Sequence, residues 1–468
     1  EEIASRTDFR NMLTYTIDGV DSKDLDDGIS IKRIESGYEL YVHIADVAHY
    51  VKEDSHLDRE ARKRATSMYL CDQVIPMLPK EISNGLCSLH PWEDKLTLTC
   101  VIEVDDHGQI VSTWVFESII HSDFRLTYDE VQQMTDGDIK VWDTLQFAKE
   151  ISADLLENIK ILEELKIILE KYKYKKGVLN FDFPETKIML DEAGNPVEYK
   201  KYVRHESHKI IEECMVLANE AISRIFSKYP FLYRVHEDPD EADVEKFIKI
   251  LEWLGAKELS ENIKKQKLSP KVFQQILEHI NSDPKLKYFQ KLLLRSLQKA
   301  RYSEKNFWHF GLALEYYSHF TSPIRRYPDL QIHRIIKEIV SKRLSHNRKD
   351  HYNHILSKVA ARSSDREVMA EKAEYKVRDF MACKYMQDKV WQEFTGQISG
   401  MIEKWFFIEL PDTIEWFIEF WFTGYQFDEK SYSIVGSTTW KQLHFWDEVP
   451  VRLTHIDEQR LRLEFEMA

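Results

Sequence analysis

Five aspartates fall within ten residues near the start of the chain, in the run TIDGVDSKDLDDGISI: Asp18, Asp21, Asp24, Asp26 and Asp27. Carboxylates crowded in this way repel one another. The repulsion raises their pKa values or drives the segment apart unless a counter-charge is held among them. A divalent cation that prefers hard oxygen ligands, Mg²⁺ or Mn²⁺, relieves the conflict. The flanks restrict the fold further. Ile17, Ile29-Ser30-Ile31 and YELYVHIADV at 38–47 read as strand, so the acids are expected on a loop between strands. Ile17, Val20 and Leu25 punctuate the run with apolar side chains, the pattern of a partly buried loop. Buried carboxylates need a partner. Two plainer readings compete. An acidic loop is most often a solvated one. An EF-hand fails on register, because placing Gly28 at its central glycine puts Lys23, Leu25 and Ile34 at ligand positions.

At 468 residues the chain can bury a large core plus a smaller second domain. It contains no run of about 18 apolar residues and no charged-then-apolar leader. A cytoplasmic protein with no membrane association is expected. The first residue is Glu1, not Met, which reads as a fragment with upstream sequence missing. Cys71, Cys87, Cys100, Cys214 and Cys383 are scattered and odd in number, which argues against a disulfide frame or a zinc site. The net charge of −15 argues against coating nucleic acid by charge alone. It leaves room for a local basic channel, and KYKYKK at 171–176, KKYVRHESHK at 200–209 and SPIRRY at 322–327 supply basic clusters.

Residues 1–135 read as strand-rich with short helices. A helix is expected across 140–175, a strand at GVLNFDF (177–183), and a helix across 206–230. Further helices are expected over 240–300, 329–344 and 351–390. From about 391, short aromatic-rich strands alternate with turns, as in a small β-barrel. The fold class is therefore α+β: a mixed sheet wrapped by helices over 1–390, then a small barrel over 391–468.

HFGLALEYYSHFTSPIRRYPDLQIHR at 309–334 is dense in His, Tyr and Arg, and a guanidinium there can pair with phosphate oxygens. Its plain alternative is a capping loop with surface arginines. ARSSDREVMAEKAEYKV at 361–377 reads first as a solvated helix with i,i+4 pairs. HESH at 205–208 has the wrong spacing for the helical zinc motif and reads as a surface or substrate-backbone contact. No phosphate-cradling glycine loop, serine-hydrolase elbow or dinucleotide fingerprint occurs.

Taken in order, TIDGVDSKDLDD, YVHIADVAHYV, VIPMLPKEISNGLCSLHP, HFGLALEYYSHFTSPIRRYPDLQIHR and the terminal barrel resemble the RNase II/RNase R family of exoribonucleases, closest to RNase R. The match runs from about residue 8 to the end. It implies a catalytic RNB domain followed by an OB fold of the ribosomal-protein-S-one type, without the family's upstream cold-shock domains. It further implies processive Mg²⁺-dependent hydrolysis from the 3′ end of single-stranded RNA, releasing nucleoside 5′-monophosphates, by a monomer. Asp18, Asp24, Asp26 and Asp27 match the family's metal positions, whereas Asp21 falls at a variable spacer. Arg325 matches the phosphate contact, and Glu374 resembles a glutamate close to it. Tyr69 and Phe181 match base-clamping aromatics, for which core packing is the plain alternative. Tyr128 and Glu212 match positions near the terminal ribose, where a carboxylate can accept from the 2′-hydroxyl. A catalytically inactive RNA-binding scaffold is the alternative, and the intact acid set with Arg325 argues against it. A small-nucleotide phosphohydrolase is a third reading, opposed by the clamp aromatics and terminal OB fold.

One departure is consistent. Trp stands where that family usually has Gly at Trp308, Trp391, Trp405, Trp416, Trp440 and Trp446, and Trp92 fits the same pattern. Glycine is scarce at 14 of 468, against an average near 7%. Several of these positions read as turns, where glycine serves by tolerating φ > 0. A UGA codon that the cell reads as glycine, translated here as tryptophan, accounts for the pattern. Selection for RNA-stacking aromatics is the rival, but it leaves Trp308 and the glycine deficit unexplained. The stretch 391–468 carries 6 basic and 14 acidic residues, a net of −8, so weak RNA affinity is expected of it.

Overall fold

The structure is a computed structural model that describes every residue except 1–2, 72, 138–152, 182, 184, 203, 254–259, 262, 265, 267, 283–285, 287–288, 421–423, 429–432 and 438–439. Its larger part is built on seven strands: β1 (Thr7–Asp8), β2 (Tyr15–Asp18), β3 (Asp27–Ile34), β4 (Gly37–Ala45), β7 (Asp94–Asp105), β8 (Ile110–His121) and β9 (Phe124–Thr127). Between β4 and β7, β5 (Met68–Tyr69) and β6 (Val74–Ile75) form a separate hairpin. The sheet runs β1-β8-β7-β4-β3-β2-β9. It is mixed, since β1 lies parallel to β8 and β2 parallel to β9 while the centre is antiparallel.

β4 is buried at every residue but Glu39. Its near-continuous apolar sequence is that of a strand covered on both faces. The helices Ala153–Lys176 and Glu206–Ile225 share the core cluster with it. A row of buried polar groups crosses this sheet. Ser30 Oγ meets His43 Nε2 at 3.1 Å, His43 Nδ1 meets Thr99 Oγ1 at 2.8 Å, and Thr99 meets Ser118 at 2.6 Å. Burial pushes the His43 pKa down to about 3, so a neutral ring can donate on one side and accept on the other. Paired in this way, the row avoids the cost of buried unsatisfied polar groups.

The helix Tyr327–Val340 is pinned to the sheet by buried charges. Asp58 accepts from Tyr327 Oη at 2.8 Å and pairs with Arg334 at 2.7 Å, and Asp46 pairs with Arg6 at 2.7 Å and with Lys337. Removing one partner of such a pair strands a buried charge, at a cost of roughly 3–5 kcal/mol.

The helix His346–Met386 runs on to place Ala382, Cys383 and Met386 in the core of the C-terminal module. There β14 (Glu393–Ile402), β15 (Trp405–Glu409), β16 (Glu415–Glu419), β20 (Glu448–Asp457) and β21 (Arg462–Met467) form a five-stranded sheet in the order β16-β15-β14-β20-β21. The strands β17 (Tyr425–Asp428), β18 (Ser433–Gly436) and β19 (Gln442–Leu443) form a second sheet. Among the described residues the two do not join into the closed barrel expected from sequence.

Other expectations differ as well. Residues 177–181 are not a strand. Gly177 caps the helix Ala153–Lys176 with φ +97°, and the segment is tied across the fold by Leu179 N–H to the Gly311 carbonyl at 2.9 Å and by Gln274 Nε2 to the Val178 carbonyl at 3.2 Å. The strand-like sequence there serves packing, with Leu179 and Phe181 against the apolar cluster around Phe273. The helix expected at 140–175 is present from Ala153, and its first part lies outside the described residues. A hairpin, β10 (Glu185–Leu190) with β11 (Pro196–Tyr202), follows. No disulfide joins any of the five cysteines, and among the described residues no helix is long and apolar enough to cross a membrane.

Candidate active site

The aspartate run links two neighbouring strands. Asp18 ends β2, Asp27 begins β3, and the loop between them carries Asp21, Asp24 and Asp26. Backbone groups fix its path. Arg125 donates to the carbonyls of Val20 at 2.9 Å and Ser22 at 2.8 Å. Ser88 Oγ bridges Leu25 N–H at 3.1 Å and the Lys23 carbonyl at 2.9 Å, and Ala45 N–H donates to the Asp26 carbonyl at 2.9 Å. Leu25 is fully buried and anchors the loop, whereas Val20, expected to be partly buried, is 66% exposed. Val20 sits on the turn closed by Ser22 N–H to the Gly19 carbonyl, which carries it away from the core.

The SPIRR segment meets this loop from almost 300 residues away. Asp26 Oδ1 accepts from Ile324 N–H at 2.9 Å, and Arg325 Nε lies 3.6 Å from Asp26 Oδ2. Asp329 is fully buried and accepts from Ser322 N–H at 2.9 Å and Arg326 Nη2 at 2.6 Å, holding the turn. A third segment docks on it through Ser67 N–H to the Arg325 carbonyl at 3.0 Å. That segment delivers Tyr69, whose hydroxyl donates to Asp24 Oδ2 at 3.3 Å.

These pieces enclose a cavity of about 620 Å³ lined by Asp18, Asp24, Asp26, Asp27, Arg325 and Tyr69, among others. Tyr128 and Glu212 line it too. The parallel register Asp18↔Thr127 sets Tyr128 beside the acids, and its ring stacks on His208 with centroids 3.9 Å apart. The HESH motif thus backs a site residue, a contact its spacing did not suggest. Glu212 is ion-paired to Arg204. Glu374 and Phe181 are not among the described lining residues. Glu374 accepts from Tyr69 N–H at 3.1 Å and so reaches the site through that residue. Phe181 stacks on Phe183 with centroids 5.9 Å apart and packs into the cluster around Phe273. Phe181 is partly buried, and its packing against this cluster is compatible with either reading.

The electrostatics match the crowding in the sequence. Burial, then the neighbouring Asp27, pushes the Asp18 pKa up to about 8. Burial pushes Asp27 up to about 6 and Asp26 well above the usual carboxylate range. Asp26 Oδ2 is buried without a hydrogen-bond donor. An orphaned carboxylate oxygen beside three further carboxylates is a donor set suited to Mg²⁺ or Mn²⁺. Even so, among the described residues no three His, Cys, Asp or Glu side chains stand close enough to hold an ion as they are. Asp24 is turned to Tyr69 and Asp26 to the Ile324 N–H.

A second cavity of about 460 Å³ shares Gly19, Ser22, Asp24, Tyr69 and Tyr128 with the first. Its far wall is the β10–β11 hairpin, with Lys187 and Lys200 in line. These lysines are direct cross-strand partners, a like-charge pairing that costs stability. Lys200 is partly offset by Glu198 at 2.9 Å. Sequence reasoning missed Arg125, Asp329 and Asn219. Asp329 lay inside a quoted motif. Asn219 accepts from Phe320 N–H at 2.7 Å, a contact no local pattern signals.

Comparison with known proteins places these features in a family. The RNB domain profile matches residues 6–342. Ribonuclease R 1 of Lactococcus lactis is 39% identical over 472 residues, covering 99% of this chain and 56% of that protein. Ribonuclease R of Aquifex aeolicus is 38% identical over 476 residues, covering 100% and 65% respectively. The chain thus spans less than two thirds of the length of these relatives. Mycoplasma genitalium RNase R, solved with ribose-methylated single-stranded RNA, superposes with a TM-score of 0.90 at 29% identity, covering 99% of this chain and 72% of that one.

Proposed function

The chain belongs to the RNB-domain family, and from that premise we propose that it is a hydrolytic exoribonuclease. On this reading it removes nucleoside 5′-monophosphates processively from the 3′ end of single-stranded RNA, as a cytoplasmic monomer. The observation that carries the reading is the convergence of Asp18, Asp24, Asp26, Asp27 and Arg325 on one cavity. The four aspartates would hold Mg²⁺, which would supply charge neutralisation and an activated water.

The chain's own residues supply the rest. The Arg325 side chain is 44% exposed and can pair with the scissile phosphate as negative charge develops. Tyr69, 43% exposed, offers a ring face to the terminal base, and stacking tolerates any base. Glu212 can exchange its exposed partner Arg204 for a ribose 2′-hydroxyl, the group that separates RNA from DNA. Glu374 holds the Tyr69 backbone, so its part is positioning. Lys187 and Lys200 supply the local positive charge that the chain's net −15 withholds. Residues 391–468 are read as an OB-fold module that shapes the channel mouth.

The test is an end-labelled duplex RNA with a 3′ single-stranded tail, incubated with the protein and Mg²⁺. Stepwise loss of the tail from its 3′ end to mononucleotides is expected. An intact RNA, or internal cuts, refutes the assignment. The length of the residual duplex also reports whether structured RNA is unwound.

A further inference from the structure

Of the eleven described non-glycine residues with φ in the left-handed region, five are tryptophans: Trp92 (64°), Trp308 (57°), Trp391 (70°), Trp440 (54°) and Trp446 (67°). The structure describes nine tryptophans, so more than half adopt a conformation that only a few per cent of non-glycine residues take. For a bulky side chain it is an outlier in any single case. Six of the thirteen described glycines have positive φ. The tryptophans are thus distributed in φ as the glycines of this chain are.

Local contacts show what holds these backbones. Trp391 N–H donates to the Leu453 carbonyl at 2.7 Å, Trp440 N–H to Gly436 at 3.0 Å, Trp446 N–H to Ile398 at 2.9 Å and Trp92 N–H to Ser122 at 2.5 Å. The Trp308 carbonyl accepts from His236 N–H at 3.1 Å. Main-chain bonds of the turns fix the geometry; the Trp308 indole also donates through Nε1 to Asp238 at 3.0 Å and meets Phe310 edge-on, and Trp446 packs against the C-terminal core, whereas the other three indoles are largely exposed. Trp92, Trp391 and Trp440 are 56%, 68% and 80% exposed. A left-handed turn position closed by main-chain bonds and leaving its side chain in solvent is where glycine is the default residue.

We infer that the natural polypeptide carries glycine at positions 92, 308, 391, 440 and 446, because the source cell decodes as glycine a codon, UGA, that the printed sequence renders as tryptophan. The rival, indoles selected to stack on RNA bases, explains exposure in the C-terminal module. It does not explain why the tryptophans seek left-handed turns, nor Trp92 and Trp308 in the RNB region. Trp114 provides the internal contrast. It lies within β8 opposite Val101 and is absent from the left-handed set, so it reads as a genuine tryptophan.

The inference is tested on protein isolated from its own cells, by sequencing peptides across these positions by mass spectrometry, together with the codons of the gene. Glycine at the five positions, UGA in the gene and tryptophan at Trp114 are the expected results. Tryptophan in those peptides, or UGG at those codons, overturns the inference. Trp405 and Trp416 lie in strands and carry no backbone signature. Their codons extend the inference to them or exempt them.

Discussion

If the left-handed tryptophans are misplaced glycines, the recombinant tryptophan-bearing protein is strained in a way that two parallel substitution series expose. At Trp92, Trp391 and Trp440, one series replaces Trp with Ala and the other with Gly. Both remove the same indole contacts, so the packing loss cancels in the comparison. What remains is the backbone. A side chain in the left-handed region costs about 1–2 kcal/mol per residue, and glycine's extra freedom in the unfolded chain returns about 0.4–1 kcal/mol of that. Glycine should therefore exceed alanine by about 0.5–1 kcal/mol at each position. Trp391 and Trp440 both belong to the C-terminal module, and together they give about 1–2 kcal/mol, with additivity holding for sites that do not touch. With a urea m-value of about 1–3 kcal/mol/M, the midpoint of that module's transition moves by roughly half to one molar. Trp92 should act separately, on the transition of the RNB region. Trp114 in β8 is the control, where glycine should fall below alanine by about 0.5–1 kcal/mol. Alanine equal or superior to glycine at the three turn positions refutes the strain argument.

Four further outcomes follow from the site. Asp26→Asn should abolish degradation of a 3′-tailed RNA while leaving RNA binding within a few-fold; undiminished turnover would remove Asp26 from the chemistry. Arg325→Lys keeps the charge but loses the guanidinium fork, so kcat should fall about 10²–10³-fold with little change in KM; a change in KM alone would make it a ground-state binding residue. Replacing Lys187 and Lys200 together by Ala should flatten the slope of log affinity against log salt by roughly 1.4, about 0.7 per phosphate contact; an unchanged slope places the RNA elsewhere. Asp18 and Asp27 have folded pKa values raised to about 8 and about 6, so their contribution to the stability of the metal-free protein is fully present below their ordinary value of 3.8 and is lost as pH rises through about 6 and about 8. Mg²⁺, which needs the deprotonated carboxylates, should raise Tm more at pH 8.5 than at pH 5.5, and a pH-independent rise would count against these aspartates as its ligands.

The acid loop was legible because its signal is local. A dense run of carboxylates between strand patterns states both its position and its electrostatic conflict within about ten residues. The helix Glu206–Ile225 was legible for the same reason, since one apolar stripe defines it. Contacts between distant segments were not. Nothing near Asp26 announces that its carboxylate receives an N–H from residue 324, and nothing near Tyr69 announces Glu374, 305 residues away. GVLNFDF misled because alternating apolar residues look alike whether they pair in a sheet or pack as an extended segment on helices.

The two adjacent arginines of SPIRRY illustrate how the fold divides roles that sequence leaves equal. Arg326 is enclosed, donates to the buried Asp329 through both Nε and Nη2, and has its pKa driven upward chiefly by that carboxylate against the cost of burial. Its charge is spent holding the turn. Among the described residues the Arg325 side chain meets the Ser322 hydroxyl at 3.0 Å and the more distant Asp26 carboxylate, and it is 44% exposed at the cavity. It can therefore form two new hydrogen bonds to a phosphate without leaving a buried partner unpaired. Substituting Arg326 should consequently act on stability, through the stranded Asp329, and on catalysis only as the turn loosens. Substituting Arg325 should act on turnover with the fold intact. The same asymmetry divides the two oxygens of Asp26 on the proposed reading. One of its oxygens belongs to the scaffold through Ile324 N–H, and the other, without a donor, is left for the chemistry.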